Sequence, residues 1–357
     1  MSELSDALPD ALSDPAACYD EPRLNMMGGA ICVVAPLDLI ETSFAVPAVR
    51  AIKSARPERT LVVLCIDEQL PMWQLMSQVD LAISYGAKAT SRQIAKLLVD
   101  VETVFESSIV WEACEAAKAL ARAGVSQRFG YTFKGVAKYL TDPMELLLTP
   151  APIEHRVRHY LNLVEKLGVE AYTRESFAAQ ALRPAPERIR IAIAPASNMG
   201  ESYEWPLERY AEVVRLVNGR YADVVWTIVG DINSKQSQAK CLELKAILGG
   251  LVRDLSLECG LRTLLSELPH YSALLACDNH TAHIAAHVGL PAVVVFGPNE
   301  PDWKRPIGKQ SRVVREHVAC SPCYLPKCKI DLRCQEQVTA EKVANELVKA
   351  LQDRCSS

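Results

Sequence analysis

From Ala30 onward the chain alternates short apolar runs with stretches whose apolar residues recur every three or four positions, and the two periods name different elements. Ile31-Cys32-Val33-Val34-Ala35 predicts a strand buried on both faces, and Ser43 to Arg56 predicts a helix. Strand-like runs follow at 60–66, 81–84, 103–106 and 128–133, with helical spacing at 91–100 and 110–123 and an amphipathic stretch from Glu154 to Leu167. A second series begins at Arg188, with strands at 189–194, 224–229, 273–277 and 292–296 and helices at 207–218, 234–248, 262–268 and 281–288. Continuous apolar strands separated by helices predict a parallel sheet covered on both faces, because parallel strands need a crossover long enough to be a helix. Two such series predict two doubly wound, Rossmann-like α/β domains facing a cleft, at 29–180 and 188–338. The Pro-bearing stretch Ala181-Leu182-Arg183-Pro184-Ala185-Pro186 reads as the linker between them. The segment 339–357 is expected to carry a last helix, from Ala340 to Leu351, that packs back on the first domain.

Residues 1–28 break the pattern: up to Arg23 they hold six acidic groups against one basic, within interrupted Ala, Leu, Pro and Ser text. Such a segment buries too little to offset its ordering entropy and is expected to be a disordered acidic tail. The remaining composition, 357 residues with about half of them apolar, is enough for two cores. A net charge of −4 gives no electrostatic footprint for nucleic acid, which is excluded as a partner at this stage. No apolar run reaches the roughly 18–20 residues that cross a bilayer, and no basic, then apolar, leader opens the chain. The expectation is a cytoplasmic protein with at most peripheral contact at the inner face of the membrane.

Polar chemistry concentrates at one predicted strand-to-helix junction, Cys277-Asp278-Asn279-His280-Thr281-Ala282-His283. The strand delivers Asp278 and Asn279 to its carboxyl end and the following helix opens with unpaired N–H groups, the arrangement that binds phosphates in open α/β sheets. Asp278 and Asn279 would equally serve as ordinary helix caps. His283 and His287 share a helix face and are read as packed residues rather than metal ligands. A weaker phosphate element is Pro195-Ala196-Ser197-Asn198-Met199-Gly200, where Ser197 and Asn198 carry the hydrogen-bonding groups. Of the twelve cysteines, eight are scattered and read as small buried hydrophobes. The other four form Cys320-x2-Cys323-x4-Cys328-x5-Cys334, which either closes a tetrahedral thiolate shell around Zn²⁺ or iron or remains a set of free thiols. A closed four-thiolate site would be structural.

Asp278, His283, Ala286, Gly289, Pro291, Phe296, Gly297 and Pro298 stand in the spacing of glycosyltransferase family 9, the heptosyltransferase family of lipopolysaccharide core assembly, which this chain resembles. The likeness continues through Asn299-Glu300-Pro301-Asp302 and, more weakly, covers Trp205-Pro206, Glu154 to Gly168 and Ile31 to Arg56. The resemblance implies a GT-B fold and inverting, metal-independent transfer of a heptose-like sugar from a nucleoside diphosphate, ADP-heptose-like, to a glycan or protein acceptor. It places the catalytic base at Glu41, where the family has Asp, with Asp38 as a second candidate. Partial burial is expected to raise the pKa of Glu41 toward a useful value. Tyr203 stands where the family has a diphosphate-binding Lys, and His280 stands where it has Gly, so a protonated His280 would restore the charge. The donor-binding set is then Ser197, Asn198, Tyr203, Asp278, Asn279, His280, Thr281 and His283. No catalytic metal is implied, since the sequence offers no Asp-x-Asp at the junction. Lys304, Arg305 and Lys309, with Arg50 and Lys53, either form a basic rim for an anionic acceptor or, the commoner outcome, are simply a solvated face. The autotransporter branch of the family holds a structural iron with similar cysteines, which supports loop stapling by metal here. The competing expectation is a scaffold that keeps the nucleotide pocket without catalysis.

Overall fold

Two six-stranded sheets, parallel throughout, organise the chain in the computed structural model, which describes residues 29–146, 153–179 and 186–355. The expected tail at 1–28 and most of the expected linker lie outside the described residues. In the first sheet β1 (Ala30–Val34), β2 (Leu61–Ile66), β3 (Leu81–Tyr85), β4 (Phe105–Val110), β5 (Gln127–Tyr131) and β6 (Asp142–Met144) run in the order 3-2-1-4-5-6. The second sheet comprises β7 (Arg190–Ala194), β8 (Val225–Ile228), β9 (Val252–Asp254), β10 (Ala273–Cys277), β11 (Ala292–Val295) and β12 (Ser311–Val314), ordered 12-11-10-7-8-9. Strand order therefore reverses between β1 and β4 and again between β7 and β10, and open α/β sheets bind ligands beyond the carboxyl ends of such strands. Glu41 follows β1 and Asp278 follows β10.

The helices of the first domain are α1 (Leu39–Ala55), α2 (Leu70–Gln74), α3 (Ser91–Asp100), α4 (Glu115–Arg122) and α5 (Val157–Lys166). Those of the second are α6 (Leu207–Asn218), α7 (Lys235–Leu248), α8 (Leu261–Glu267), α9 (His280–His287), α10 (Pro301–Lys304), α11 (Arg333–Glu336) and α12 (Ala340–Cys355). None of the described helices is long and apolar enough to cross a membrane.

Three differences from the sequence reading have physical causes. Helix α1 begins at Leu39 rather than Ser43, because the Asp38 carboxylate accepts from the N–H groups of Ile40 (2.9 Å) and Glu41 (3.0 Å) and caps the helix there. The helix expected at 110–123 is instead the end of β4 followed by α4, since Ile109 and Val110 pair with Phe129 and Gly130 in the sheet interior. Helix α12 lies on α6 and on β10, β11 and β12 of the second domain, where Val343, Ala344, Leu347 and Leu351 complete that core. It does not brace the first domain as expected, because its apolar stripe matches the face that α6 leaves open.

The two domains meet along an apolar seam in which α1 packs on α9 and α2 on α8. Every residue of α1 from Ile40 to Ile52 is buried, so the helix has no solvent face until its last turn. Phe44 sits at its centre, edge-on to His155 of the first domain (5.2 Å) and to His283 of the second (5.1 Å). Phe44→Ala is expected to cost about 3–5 kcal/mol and, because the lost ring spans the seam, to separate the unfolding of the two domains into distinct steps in urea followed by tryptophan fluorescence.

Candidate functional site

A cavity of about 640 Å³ lies between the domains, walled on one side by Tyr131, His155, Arg156 and His159 and on the other by Tyr203, Asn299, Trp303, Lys304 and Tyr324. Cations outnumber anions on these walls, and the aromatic rings supply flat apolar area, a combination that suits an anionic ligand carrying a ring. Trp303 and Tyr324 meet edge to face at 5.5 Å.

Glu41 sits in the first turn of α1, buried, and is held from both domains. Its Oε2 accepts from Arg156 Nε (2.8 Å) and the Tyr160 hydroxyl (2.7 Å), while its Oε1 lies 2.7 Å from Lys304 Nζ in α10. The segment that brings Arg156 there is tied across the cleft: Arg156 N donates to the Trp303 carbonyl (2.8 Å) and His155 Nε2 faces that of Arg305 (2.8 Å). These bonds also explain why α5 begins at Val157 rather than Glu154. The raised pKa expected for Glu41 is not found. Burial does push it up, but Lys304, Arg156 and the Tyr160 hydroxyl outweigh burial and hold it at about 2, so the group is a firmly ionised carboxylate.

On the second domain the junction after β10 is built from interlocking polar groups. The Asn279 Oδ1 caps α9 by accepting from Ala282 N (3.0 Å), and its Nδ2 donates to the carbonyls of Ala194 (3.1 Å) and Ala196 (2.9 Å). Ser197 Oγ donates to the Asp278 carbonyl (2.7 Å), which joins the loops after β7 and β10. Asp278 itself is buried with Asn299 Nδ2 at 2.8 Å, and burial raises its pKa to about 7 despite Asn299 and Lys304. Asn198 Oδ1 accepts from His280 N (3.3 Å) and faces the imidazole Nδ1 of His280 at 3.3 Å. Thr281 is buried in the first turn of α9. Tyr203 lines the cavity as a neutral phenol, its pKa pushed up to about 12 by burial.

The geometry removes the positive charge expected of His280. Burial lowers the pKa of His280 against the pull of Asp231 and Asp38, so it supplies no positive charge near neutrality. His283 is lowered to about 3 by burial and by the charges of His155, Lys304 and His280, and its Nδ1 lies 3.5 Å from Ser43 Oγ. His287 is likewise held near 3, and no metal-holding group of three or more His, Cys, Asp or Glu occurs among the described residues. The expected basic rim does not assemble either. Arg50 is buried and donates to the carbonyls of Ser176 and Ala178, Lys53 pairs with Asp80 at 2.7 Å, and Arg305 and Lys309 stay exposed. Only Lys304 of that group lines the cavity. Asp38, the second base candidate, is exposed and engaged as the α1 cap.

The cysteine loop packs against the same wall. Cys323 N and Tyr324 N donate to the Pro298 carbonyl (3.0 and 2.9 Å), Ser321 Oγ to Gly297 O (2.7 Å), and Ser202 to the carbonyls of Leu325 and Pro326. Gly200 has φ +124°, and a Cβ there would overlap Pro326, so only glycine lets the loop lie this close. Cys328 Sγ accepts from Ile330 N and Leu332 N, both at 3.4 Å, which holds its thiol below the usual range. Cys334 is buried, and burial followed by the charges of the other three thiols pushes its pKa up to about 11.

Sequence reasoning did not single out Arg156, Tyr160, His155, Asn299, Trp303 or Tyr324. The spacing of Arg156 and Tyr160, one helical turn apart in the amphipathic stretch, was the available signal that both face one target.

Two parallel sheets whose reversal points open on one shared cleft define a GT-B architecture. The chain belongs to glycosyltransferase family 9 (heptosyltransferase), whose profile matches residues 89–332. Lipopolysaccharide heptosyltransferase 2 of Salmonella typhimurium is 29% identical over 140 residues, which are 36% of this chain and 37% of that protein. The match thus spans little more than a third of that relative's length. The ADP-heptose LPS heptosyltransferase II structure from E. coli aligns over 91% of this chain and 99% of its own at a TM-score of 0.73 and 19% identity. The iron-containing dodecameric glycosyltransferase TibC of enterotoxigenic E. coli aligns over 92% and 78% at 0.55 and 13%.

Because the folded-state pKa of Asp278 is raised, its contribution to stability is full below 3.8 and is lost as pH rises through about 7. Asp278→Asn, which does not titrate, is expected to gain stability relative to the wild type across that window. Urea midpoints of both proteins measured along the pH series check it, and a difference that stays flat would remove the assignment.

Proposed function

We propose that this chain transfers a heptose-like sugar, with inversion and without a divalent metal, from a nucleoside diphosphate of the ADP class to a hydroxyl of a glycan or protein acceptor. The observation that carries this reading is the placement of one ionised carboxylate, Glu41, on the first-domain side of a cleft whose other side presents a cation, hydrogen-bonding groups and aromatic rings. The acceptor hydroxyl gives its proton to Glu41 as its oxygen attacks the anomeric carbon from the face opposite the diphosphate. The anomeric C–O bond breaks through an oxocarbenium-like state and its electron pair leaves on the diphosphate. Charge developing there is met by the ammonium of Lys304, which lines the cavity.

The donor-side residues divide by what they already bind. Ser197, Asp278, Asn279 and His283 are engaged in holding the loop shape and the seam. Asn198, His280, Thr281 and Tyr203 present the groups that would meet the diphosphate and its sugar. The fold relatives in E. coli support the donor class, since one is an ADP-heptose heptosyltransferase by its own name. An acceptor held at the inner face of the membrane fits a cytoplasmic protein with peripheral contact.

Turnover of ADP-heptose with a heptose-accepting oligosaccharide, followed as free ADP, tests the reading. Glu41→Gln keeps the side-chain shape and is expected to lower kcat by about 10²–10⁴ with donor binding retained. Thermal stabilisation of the wild type by ADP without any turnover would instead support a nucleotide-binding scaffold.

For the cysteine loop we propose a structural Zn²⁺ or iron held by Cys320, Cys323, Cys328 and Cys334. Support comes from the two N–H groups aimed at Cys328 Sγ and from the left-handed backbone at Tyr324 and Leu332, which turns the loop back on itself. The thiols must draw together to form the shell, because no three of them form a metal-holding group among the described residues. Elemental analysis of freshly purified protein is expected to find about one equivalent of zinc or iron per chain. Four freely titrating thiols with no metal would discard the site.

A further inference from the structure

Lys304 and Glu41 form a charged contact in the site that a ligand can undo without stranding a buried charge. The Glu41 carboxylate carries a single negative charge but is served by two cations and a phenol, distributed unequally between its oxygens: Arg156 and Tyr160 on Oε2, Lys304 on Oε1. Withdrawal of Lys304 leaves Oε2 doubly hydrogen-bonded and the charge still balanced by Arg156. Withdrawal of Arg156 would break a tie to α5 on the carboxylate's own domain. Lys304 comes from the other domain, at the end of α10, and its side chain is partly open to the cavity. Short α10 is itself anchored by Glu300, which caps it at Asp302 N and pairs with Arg315 at 2.8 Å, so the ammonium can swing on its four-carbon stem while the backbone stays fixed. Lys304 also lies close enough to Asp278 and His283, beside the first turn of α9, to shift both electrostatically.

Resting on the transferase reading above, we propose that Lys304 is a transferable cation, parked on Glu41 Oε1 when the cleft is empty and drawn to the diphosphate when donor binds, so that the donor itself uncovers the base. A nucleoside diphosphate carries more negative charge than one carboxylate and competes for the ammonium. Once Lys304, which lines the cavity, leaves, Oε1 has free lone pairs, and one of the two cations that hold Glu41 so acidic is gone. The carboxylate then accepts a proton more readily when the sugar is present than when it is absent. Neutral Tyr203, His280 and His283 leave Lys304 as the mobile positive group on the donor side of the cavity wall. The order of events follows: donor first, base second, acceptor deprotonation last.

Calorimetric titration of ADP into the wild type, Lys304→Met, Lys304→Arg, Glu41→Gln and the Glu41→Gln/Lys304→Met double variant tests this. Lys304→Met is expected to weaken ADP about tenfold or more, the worth of a charge-assisted hydrogen bond, and Lys304→Arg to restore most of it. Glu41→Gln is expected to tighten ADP several-fold, because the parked cation is released, and the double variant to bind like Lys304→Met alone. A purely structural clasp would weaken binding in both Lys304→Met and Glu41→Gln. Lys304→Met binding ADP as the wild type does, or a folded Glu41→Gln binding no tighter, would overturn the inference while leaving the transferase reading intact. A wild type that does not bind ADP overturns both.

Discussion

A buried carboxylate can remain charged only where donors replace the water it has lost, and at Glu41 those donors come from both domains. Arg156 and Tyr160 reach it from α5, and Lys304 reaches it from α10 across the cleft. Taking such charges out of water costs several kcal/mol per ion, which only short, well-directed contacts offset. The relative position of the two sheets is therefore coupled to one ionised group, in addition to the apolar seam of α1 on α9. The seam is largely apolar and buried. The ion cluster is open to the cavity and can exchange partners, which gives the cleft a part that holds and a part that responds.

The donor side gains its shape from a region far along the chain. The loop carrying the four cysteines is bonded to Pro298 and Ser202, its fit secured by the bare backbone at Gly200, and the same loop carries Tyr324 against Trp303. A change in the loop's conformation would move an aromatic wall of the cavity directly. Behind that wall, Ser197 and Asn279 lock the ends of β7 and β10 together, so the junction that faces the ligand is braced by hydrogen bonds already made. Such bracing lets the remaining groups be aimed before a ligand arrives, which is what stabilising a developing charge demands.

Much of this was legible in the order of residues. In the second series β10, α9 and β11 could be placed within a residue, because β10 and β11 are apolar and buried throughout and α9 lies between them behind its Asn279 cap. The edge strands β6, β9 and β12 are three or four residues long and half exposed, too short for a period to show. The capping role of Asn279 was readable from its place before an apolar helix. The early start of α1 was not, because Asp38 and Glu41 are both acidic and only the backbone conformation at Asp38 makes it the cap.

By itself the sequence determined the two-sheet α/β architecture, the polar junction after β10 and the family, because these depend on local period and on spacing within single segments. Tertiary structure alone decided which charges meet. Burial would have raised the pKa of Glu41, and the proximity of Lys304, 263 positions away in the chain, together with Arg156, lowers it instead. The same holds for the neutral histidines and for the basic rim that never assembled, since desolvation and Coulomb attraction act through distances in space that no spacing along the chain records.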